Sequence, residues 1–292
     1  MVFYDSILQR YPSTDAESNL SIMRMTEARM VSNECGMDGA EELLESLKFF
    51  HNLGFILHYP QDEILKETIF VKPQELIYAL RTVISFKLED RNQSLHFGPN
   101  AQSSVTQIGH QMSEVEKNEV KEKGRISNSL LKILWKKYPD SVHIQLKALL
   151  VKFGLAFTDP DHIGQHFVDR YLIVPCLVKK EDDKTIDNPA TCTYRYGAIS
   201  PIGLSNGLIV QVLKLAQKSG SKTPFILFNK GCVFAHNETK VKVSTRTGEV
   251  QIEVQRKEGT GWPFTLQVSL FSFLILIFTD ISPALFFIQR CF

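Results

Sequence analysis

Apolar positions along this chain fall into two spacings, and their alternation lays out the elements. Ala40, Leu43, Leu44, Leu47, Phe50 and His51 recur at helical intervals up to Gly54. A glycine suits that helix end because it takes positive φ without a Cβ clash. Phe55–Tyr59 and Thr68–Val71 then read as two short strands around a turn. Pro73 opens the next helix at a position that needs no amide hydrogen, and Leu76, Ile77, Leu80, Val83 and Ile84 form its apolar stripe. Upstream, residues 1–21 read as an irregular edge. Thr26 is expected to cap a short helix containing Ala28 and Met30, and Asp38 to cap the helix that ends at Gly54. From Glu89 to Lys123 the periodicity fails under polar residues, which predicts a loop or linker.

Order resumes at Gly124-Arg125-Ile126-Ser127. Ser127 or Ser129 is expected to cap a helix carrying Leu130, Leu131, Ile133, Leu134 and Trp135. A further helix carries Ile144, Leu146, Leu149, Leu150 and Phe153 and stops at Gly154; Leu155–Phe157 follows as a strand, broken at Thr158-Asp159-Pro160. Beyond this, Tyr171–Val178 reads as a strand, Lys179–Pro189 as a polar loop and Thr191–Ala198 as another strand. Ile202–Leu215 reads as a helix with Leu204, Leu208, Ile209, Val212 and Leu213 facing inward. Phe225–Leu227 and Cys232–Ala235 flank a turn at Asn229-Lys230-Gly231. The clearest hairpin joins Lys240–Ser244 to Glu249–Gln255, with Val241 and Val243 alternating against Val250, Ile252 and Val254.

Helix, strand, strand, helix around FFHNLGFILHYP and IFVKPQELIYALRTVI builds a small winged-helix unit, and it resembles the first half of a COR domain, the C-terminal-of-Roc module of Roco proteins. The Gly-x-hydroxyl start at Gly124, the helix with Trp135 and the helix ending at Phe153-Gly154 resemble the remainder of that half. The strand, strand, helix, meander order after residue 165 resembles the second half. The resemblance covers residues 22–258. One departure stands at Glu75, where the family often has an aromatic, and it loosens one expected packing contact. The resemblance implies an α+β fold: a winged-helix-like N-terminal half (COR-A, 22–160, with the polar loop 89–123) and a mixed α/β C-terminal half (COR-B, 165–258), joined near 158–170. It also implies a scaffold that receives a Roc GTPase on the first half, self-associates chiefly through the second as a homodimer, and couples dimer state to nucleotide state in intracellular signalling.

Composition changes this picture little. In 292 residues, 43% hydrophobic and 22% charged content describe a globular chain, and a net charge of +1 gives no global pull toward nucleic acid or membrane. Five scattered cysteines without CxxC spacing point to reduced intracellular thiols, and the N-terminus lacks a signal-peptide pattern, so the chain is read as cytoplasmic. No GxxxxGK[ST] loop occurs, and Asn229-Lys230-Gly231-Cys232 lacks the acid of a guanine-reading motif; it reads as a strand-connecting turn. Kinase signatures and a Gly-x-Ser-x-Gly elbow are absent. His162 and His166 have i, i+4 spacing but no further ligands, and Cys176 in an apolar strand reads as an inert core thiol. The expectation is therefore a non-catalytic chain with no catalytic residue, cofactor or metal of its own, and a GTPase supplied in trans or by a longer gene product.

Two rival readings remain. Trp262–Thr279 carries no charge, and Ile281–Ile288 is apolar after Asp280. The 259–292 tail is thus either a membrane segment (262–288), with Arg256 and Lys257 on the cytoplasmic side, or an aberrant end foreign to the domain. A tethered adaptor is the first alternative. A winged-helix nucleic-acid binder is the second, weakened by helices that lack a cationic face. For docking a GTPase the candidates are Phe50, His51, Leu53, Tyr59 and Trp135. For a dimer interface they are Tyr194, Tyr196, Ile202, Leu204, Leu208 and Phe234, each of which core packing explains as well. Charge at Leu204 and Leu208 is expected to abolish self-association if they are exposed, and to destroy the fold if they are core.

Overall fold

Why the chain folds where it does is clearest at its first residues, which form a helix. In the computed structural model, which describes residues 2–12, 20–85, 112–159, 166–182, 185–187, 189–195, 204–218, 225–236, 239–246 and 249–255, helix α1 spans Val2–Arg10. Phe3 and Ile7, one turn apart, are buried on it, so the irregular edge expected at residues 1–21 is corrected over this stretch. Strand β1 (Ile22–Arg24), helices α2 (Met25–Glu34) and α3 (Ala40–Asn52), and strands β2 (Leu57–His58) and β3 (Thr68–Phe70) follow. The strands pair antiparallel in the order β1-β3-β2, with Met23 opposite Ile69 and Leu57 opposite Phe70. Neither expected cap operates. Arg24 and Gly39 occupy the N-cap positions of α2 and α3 without side-chain hydrogen bonds; Thr26 lies inside α2, and Asp38 lies one residue outside the α3 cap. Gly54 does end α3, at φ 77°. Helix α4 (Pro73–Ile84) starts at its proline as expected.

Glu75, where the resemblance to COR domains leads to the expectation of an aromatic, has a defined role. It is buried on α4, and its carboxylate accepts hydrogen bonds from the Ser21 backbone N–H at 2.5 Å and the Ser21 hydroxyl at 3.1 Å. The Ser21 carbonyl in turn accepts from the Val71 N–H at 2.9 Å. Glu75 therefore pins the chain just before β1 to α4, where an aromatic would leave Ser21 without acceptors.

The same element order then recurs. Helix α5 (Glu114–Lys123), strand β4 (Arg125–Ile126), helices α6 (Asn128–Leu134) and α7 (Asp140–Lys152), and strands β5 (Phe157–Thr158) and β6 (Leu172–Ile173) follow one another, and the strands pair in the order β4-β6-β5. Part of the polar stretch 89–123 is thus helical, a correction to the loop expected there; residues 86–111 lie outside the described residues. Ser113 and Glu116 form a reciprocal capping box at the start of α5, and Gly124 closes it in the left-handed region at φ 65°. Ser127 caps α6, its hydroxyl accepting from the Leu130 N–H at 3.1 Å. Arg125 on β4 pairs with Asp159, just after β5, at 2.7 Å and lies over the ring of Tyr171, just before β6, at 4.4 Å.

The expected strand Tyr171–Val178 is only β6, followed by a 3-10 turn at Pro175–Leu177. Cys176 sits in that turn and not in a strand, which corrects its placement in the core; the residue is exposed, but its Sγ lies 3.7 Å from the Ile84 carbonyl and desolvation pushes the thiol up to about 12. The remaining chain forms one antiparallel sheet from β7 (Pro189–Arg195), β8 (Ile226–Phe228), β9 (Gly231–His236), β10 (Thr239–Arg246) and β11 (Glu249–Gln255), in the order β7-β11-β10-β9-β8. The expected hairpin is present, with Val241 opposite Val254 and Val243 opposite Ile252. Asn229-Lys230 is the turn between β8 and β9, with Lys230 at φ 62°. Helix α8 (Leu204–Lys218) buries Leu208, Ile209, Val212 and Leu213 in one core with Val241, Val243, Val250 and Ile252.

The described chain is mixed α+β and divides into two compact units. One takes Met1–Val83 and Leu131–Leu149; the other takes Ile84–Leu130 and the described chain from Leu150 onward. This division runs through α6 and α7. Among the described residues, no helix is long and apolar enough to cross a membrane; the 259–292 tail lies outside them.

Candidate interaction surface

Helix α3 carries two faces of different chemistry. Leu43, Leu47 and Phe50 are buried, at the three- and four-residue spacing of one helical stripe, in a core with Phe3, Ile7, Met23, Ala28, Val31, Ile56 and Ile69. The opposite face holds Glu41, Glu42, Leu44, Glu45, Lys48, Phe49 and Leu53, all exposed. Large apolar groups crowd its C-terminal half: Phe49 is 59% exposed, Leu53 48%, and Phe55, just beyond the helix, 46%.

These exposed rings rest on a rigid aromatic base. Tyr4 of α1 stacks on Phe50 and on Phe55, both at 5.1 Å between centroids, and Phe49 meets Phe50 edge-on at 5.5 Å. Beside them the His51 ring meets Tyr59 edge-on at 5.1 Å, and its Nδ1 accepts from the His58 N–H at 3.4 Å. Burial, reinforced by Asp62, pushes the Tyr59 phenol above its ordinary value. His58 is buried with Nε2 3.0 Å from the Lys66 carbonyl, and burial lowers its pKa.

The structure separates the five docking candidates. Leu53 is exposed, and His51 and Tyr59 are half-buried. Phe50 and Trp135 are buried, so neither side chain is offered to a partner, a correction for both. Trp135 is fully enclosed: its indole N–H donates to the Ala79 carbonyl at 2.8 Å, and its ring lies 5.7 Å from that of His143. Sequence reasoning missed Phe49, Phe55 and Leu44. The signal available was Phe49 itself, an aromatic lying off the Leu43-Leu47-Phe50 stripe.

Among the dimer candidates, Leu208 and Phe234 are core residues between α8 and the sheet, the core-packing alternative expected for them alongside an interface. The side chains of Tyr194 and Leu204, and the whole of Tyr196 and Ile202, lie outside the described residues. The sheet face turned away from α8 is polar over β7, β11 and β10 and carries Val233 and the exposed Ile226 on β9 and β8. Exposed Thr191 and Thr193 on β7 stand opposite Glu253 and Gln251 on β11; Arg195 lies 3.6 Å from Glu249, and Lys242 2.6 Å from Asp182. Cys232 is buried on the inner face, and burial pushes its thiol up to about 12. Among the described residues no group of three or more His, Cys, Asp or Glu stands where it could hold a metal ion.

No family model matches the chain. It is similar to the Probable serine/threonine-protein kinase pats1 of Dictyostelium discoideum, with 21% identity over 234 residues, which cover 74% of this chain and 6% of that protein. The chain thus spans only a small part of the length of the curated relative it matches.

Proposed function

We propose that the chain is a non-catalytic COR-type scaffold that binds a Roc-type GTPase, self-associates as a homodimer and couples the two in intracellular signalling. The observation that carries this reading is the order of elements. Helix, strand, helix, helix, strand, strand, with the strands paired in the order first-third-second, occurs twice before a helix and a five-stranded antiparallel sheet, and this supports reading each occurrence as winged-helix-like. That succession supports a COR-A half followed by a COR-B half. The pats1 similarity adds support of one kind: it falls on one small segment of a far longer protein, as a module within a larger assembly would. The GTPase is supplied in trans or by a longer gene product, because the chain has no phosphate-cradling loop of its own.

Nucleic acid is the weaker partner. In a winged-helix reading α3 takes the place of the recognition helix, and its open face carries Glu41, Glu42 and Glu45 against Lys48 alone. Such a face repels phosphates. The test mixes the full chain with a Roc-type GTPase loaded with GDP or a non-hydrolysable GTP analogue and measures mass in solution. A complex whose stoichiometry changes with the nucleotide supports the proposal. Absence of both self-association and complex overturns it.

A further inference from the structure

The open face of α3 is divided lengthwise. Glu41, Glu45, Phe49 and Leu53 follow one another at four-residue spacing and so form one row of adjacent side chains along the helix. The row is acidic over its first half, where Glu42 widens it, and apolar over its second, where Phe55 widens it; Leu44 stands at the junction, 45% exposed. The helix dipole accounts for acids in the first turn, Glu41 and Glu42, but not for Glu45 a turn later. None of the three carboxylates has an ion-pair partner among the described residues. Nor does dipole or core packing account for Phe49 and Phe55, held outward against the Tyr4 and Phe50 rings, or for the exposed Leu53 beside Phe49 on the same row. Exposed aromatics fixed in place cost little further ordering when they are covered.

We propose that this face docks an amphipathic helix of a partner protein, with large apolar side chains over Phe49, Leu53 and Phe55 and with Lys or Arg against Glu41, Glu42 and Glu45. The inference rests on the reading of the chain as a docking scaffold, but not on that partner being a GTPase. Charge selects the occupant. An acidic or uncharged amphipathic helix meets the same apolar groups but leaves three carboxylates facing like charge or losing water without compensation. Register follows: the basic end of the partner lies over the N-terminal half of α3.

The test titrates the full chain into two fluorescently labelled synthetic amphipathic helices of equal length, each with Leu along one face, one with Lys and the other with Glu on the opposite face. The expected result is saturable binding of the Lys helix, weakening as salt rises, with at least about tenfold lower affinity for the Glu helix. Phe49→Ala and Leu53→Ser should each weaken the Lys helix by about tenfold while circular dichroism and thermal midpoint stay close to the parent; two variants guard against a folding defect in one. Glu41→Gln combined with Glu45→Gln should remove most of the salt dependence. No binding of the Lys helix, equal binding of both helices, or unchanged affinity in the apolar variants would overturn the inference. So would conversion of a dimer to a monomer by Leu53→Ser, which would give the face to a second copy. A chain that self-associates but ignores the Lys helix loses this inference and keeps the scaffold reading; a strict monomer that binds the Lys helix does the reverse.

Discussion

Replacing Glu75 probes the joint that the sequence alone read as a loosened contact. The carboxylate is 2% exposed and accepts two hydrogen bonds from Ser21, at 2.5 and 3.1 Å, with the Lys72 ammonium 3.9 Å away. Hydrogen bonds to a charged group are worth about 1.5–3 kcal/mol each, and stranding a part-buried backbone N–H adds its own desolvation cost. Glu75→Ala removes both acceptors and is expected to cost about 2–4 kcal/mol. Glu75→Gln keeps the volume and one acceptor but loses the charge, and is expected to cost about 1–2 kcal/mol. Glu75→Phe, which brings in the aromatic that the resemblance to COR domains implies here, should be no better than the alanine variant, because it strands Ser21 and overfills the site. Urea unfolding followed by far-UV circular dichroism measures each, with the slope checked against the parent. A loss below about 0.5 kcal/mol for Glu75→Ala, or equal losses for Ala and Gln, would refute the reasoning.

Four further outcomes follow from the same geometry. Gly124→Ala should cost clearly more than Gly154→Ala: both residues have positive φ, worth about 1 kcal/mol, but only at Gly124 does a new Cβ meet a backbone atom, the Val174 carbonyl at 2.6 Å; equal thermal midpoints would remove the clash from the argument. The lowered pKa of His58 means that the unfolded chain binds the proton more readily, so its contribution to stability is present above the ordinary imidazole value of about 6.5 and is lost as pH falls through the folded pKa. His58→Gln should flatten that part of the stability–pH curve, and an unchanged curve would count against it. Leu208→Asp should unfold the unit around the five-stranded sheet rather than merely disrupt an interface, since Leu208 is fully buried in its core; a folded, soluble variant by circular dichroism would contradict this. Ile7→Asp should destabilise the α3 core strongly, as should removal of residues 1–21, because Phe3 and Ile7 are part of it; an unchanged urea midpoint would return that segment to the status of an edge.

Legibility followed how strongly local chemistry dictated each element. Helix α4 opened at its proline, α3 closed at Gly54, and the β10–β11 hairpin paired Val243 with Ile252 as alternation required. These features depend on neighbours in sequence. The caps on α2 and α3 failed because a nearby Thr or Asp does not ensure the N-cap position; the chain placed Arg24 and Gly39 there. Helix α5 was hidden because it buries only Val120, leaving no stripe, yet its Ser113–Glu116 capping box was readable. The short strands β1 and β4 carry too few residues to show alternation, and only their pairing with β3 and β6 defines them. On the candidate surface, apolar side chains on α3 could be named but not assigned to a side. Phe50 and Phe49 are adjacent in sequence; Phe50 continues the Leu43-Leu47 stripe and is covered by Tyr4 of α1, while Phe49 lies off that stripe and stays open. Trp135 looked like an anchor for a partner because its acceptor, the Ala79 carbonyl, is 56 residues away in sequence.

The central claim is that this chain is a self-associating scaffold. Light scattering of the full chain across a concentration series tests it most directly, with α1 retained because its side chains belong to the α3 core. The account predicts a mass that rises with concentration from monomer to dimer and shifts when a Roc-type GTPase is added. A well-folded chain of monomer mass at every concentration, unchanged by the GTPase, would contradict it.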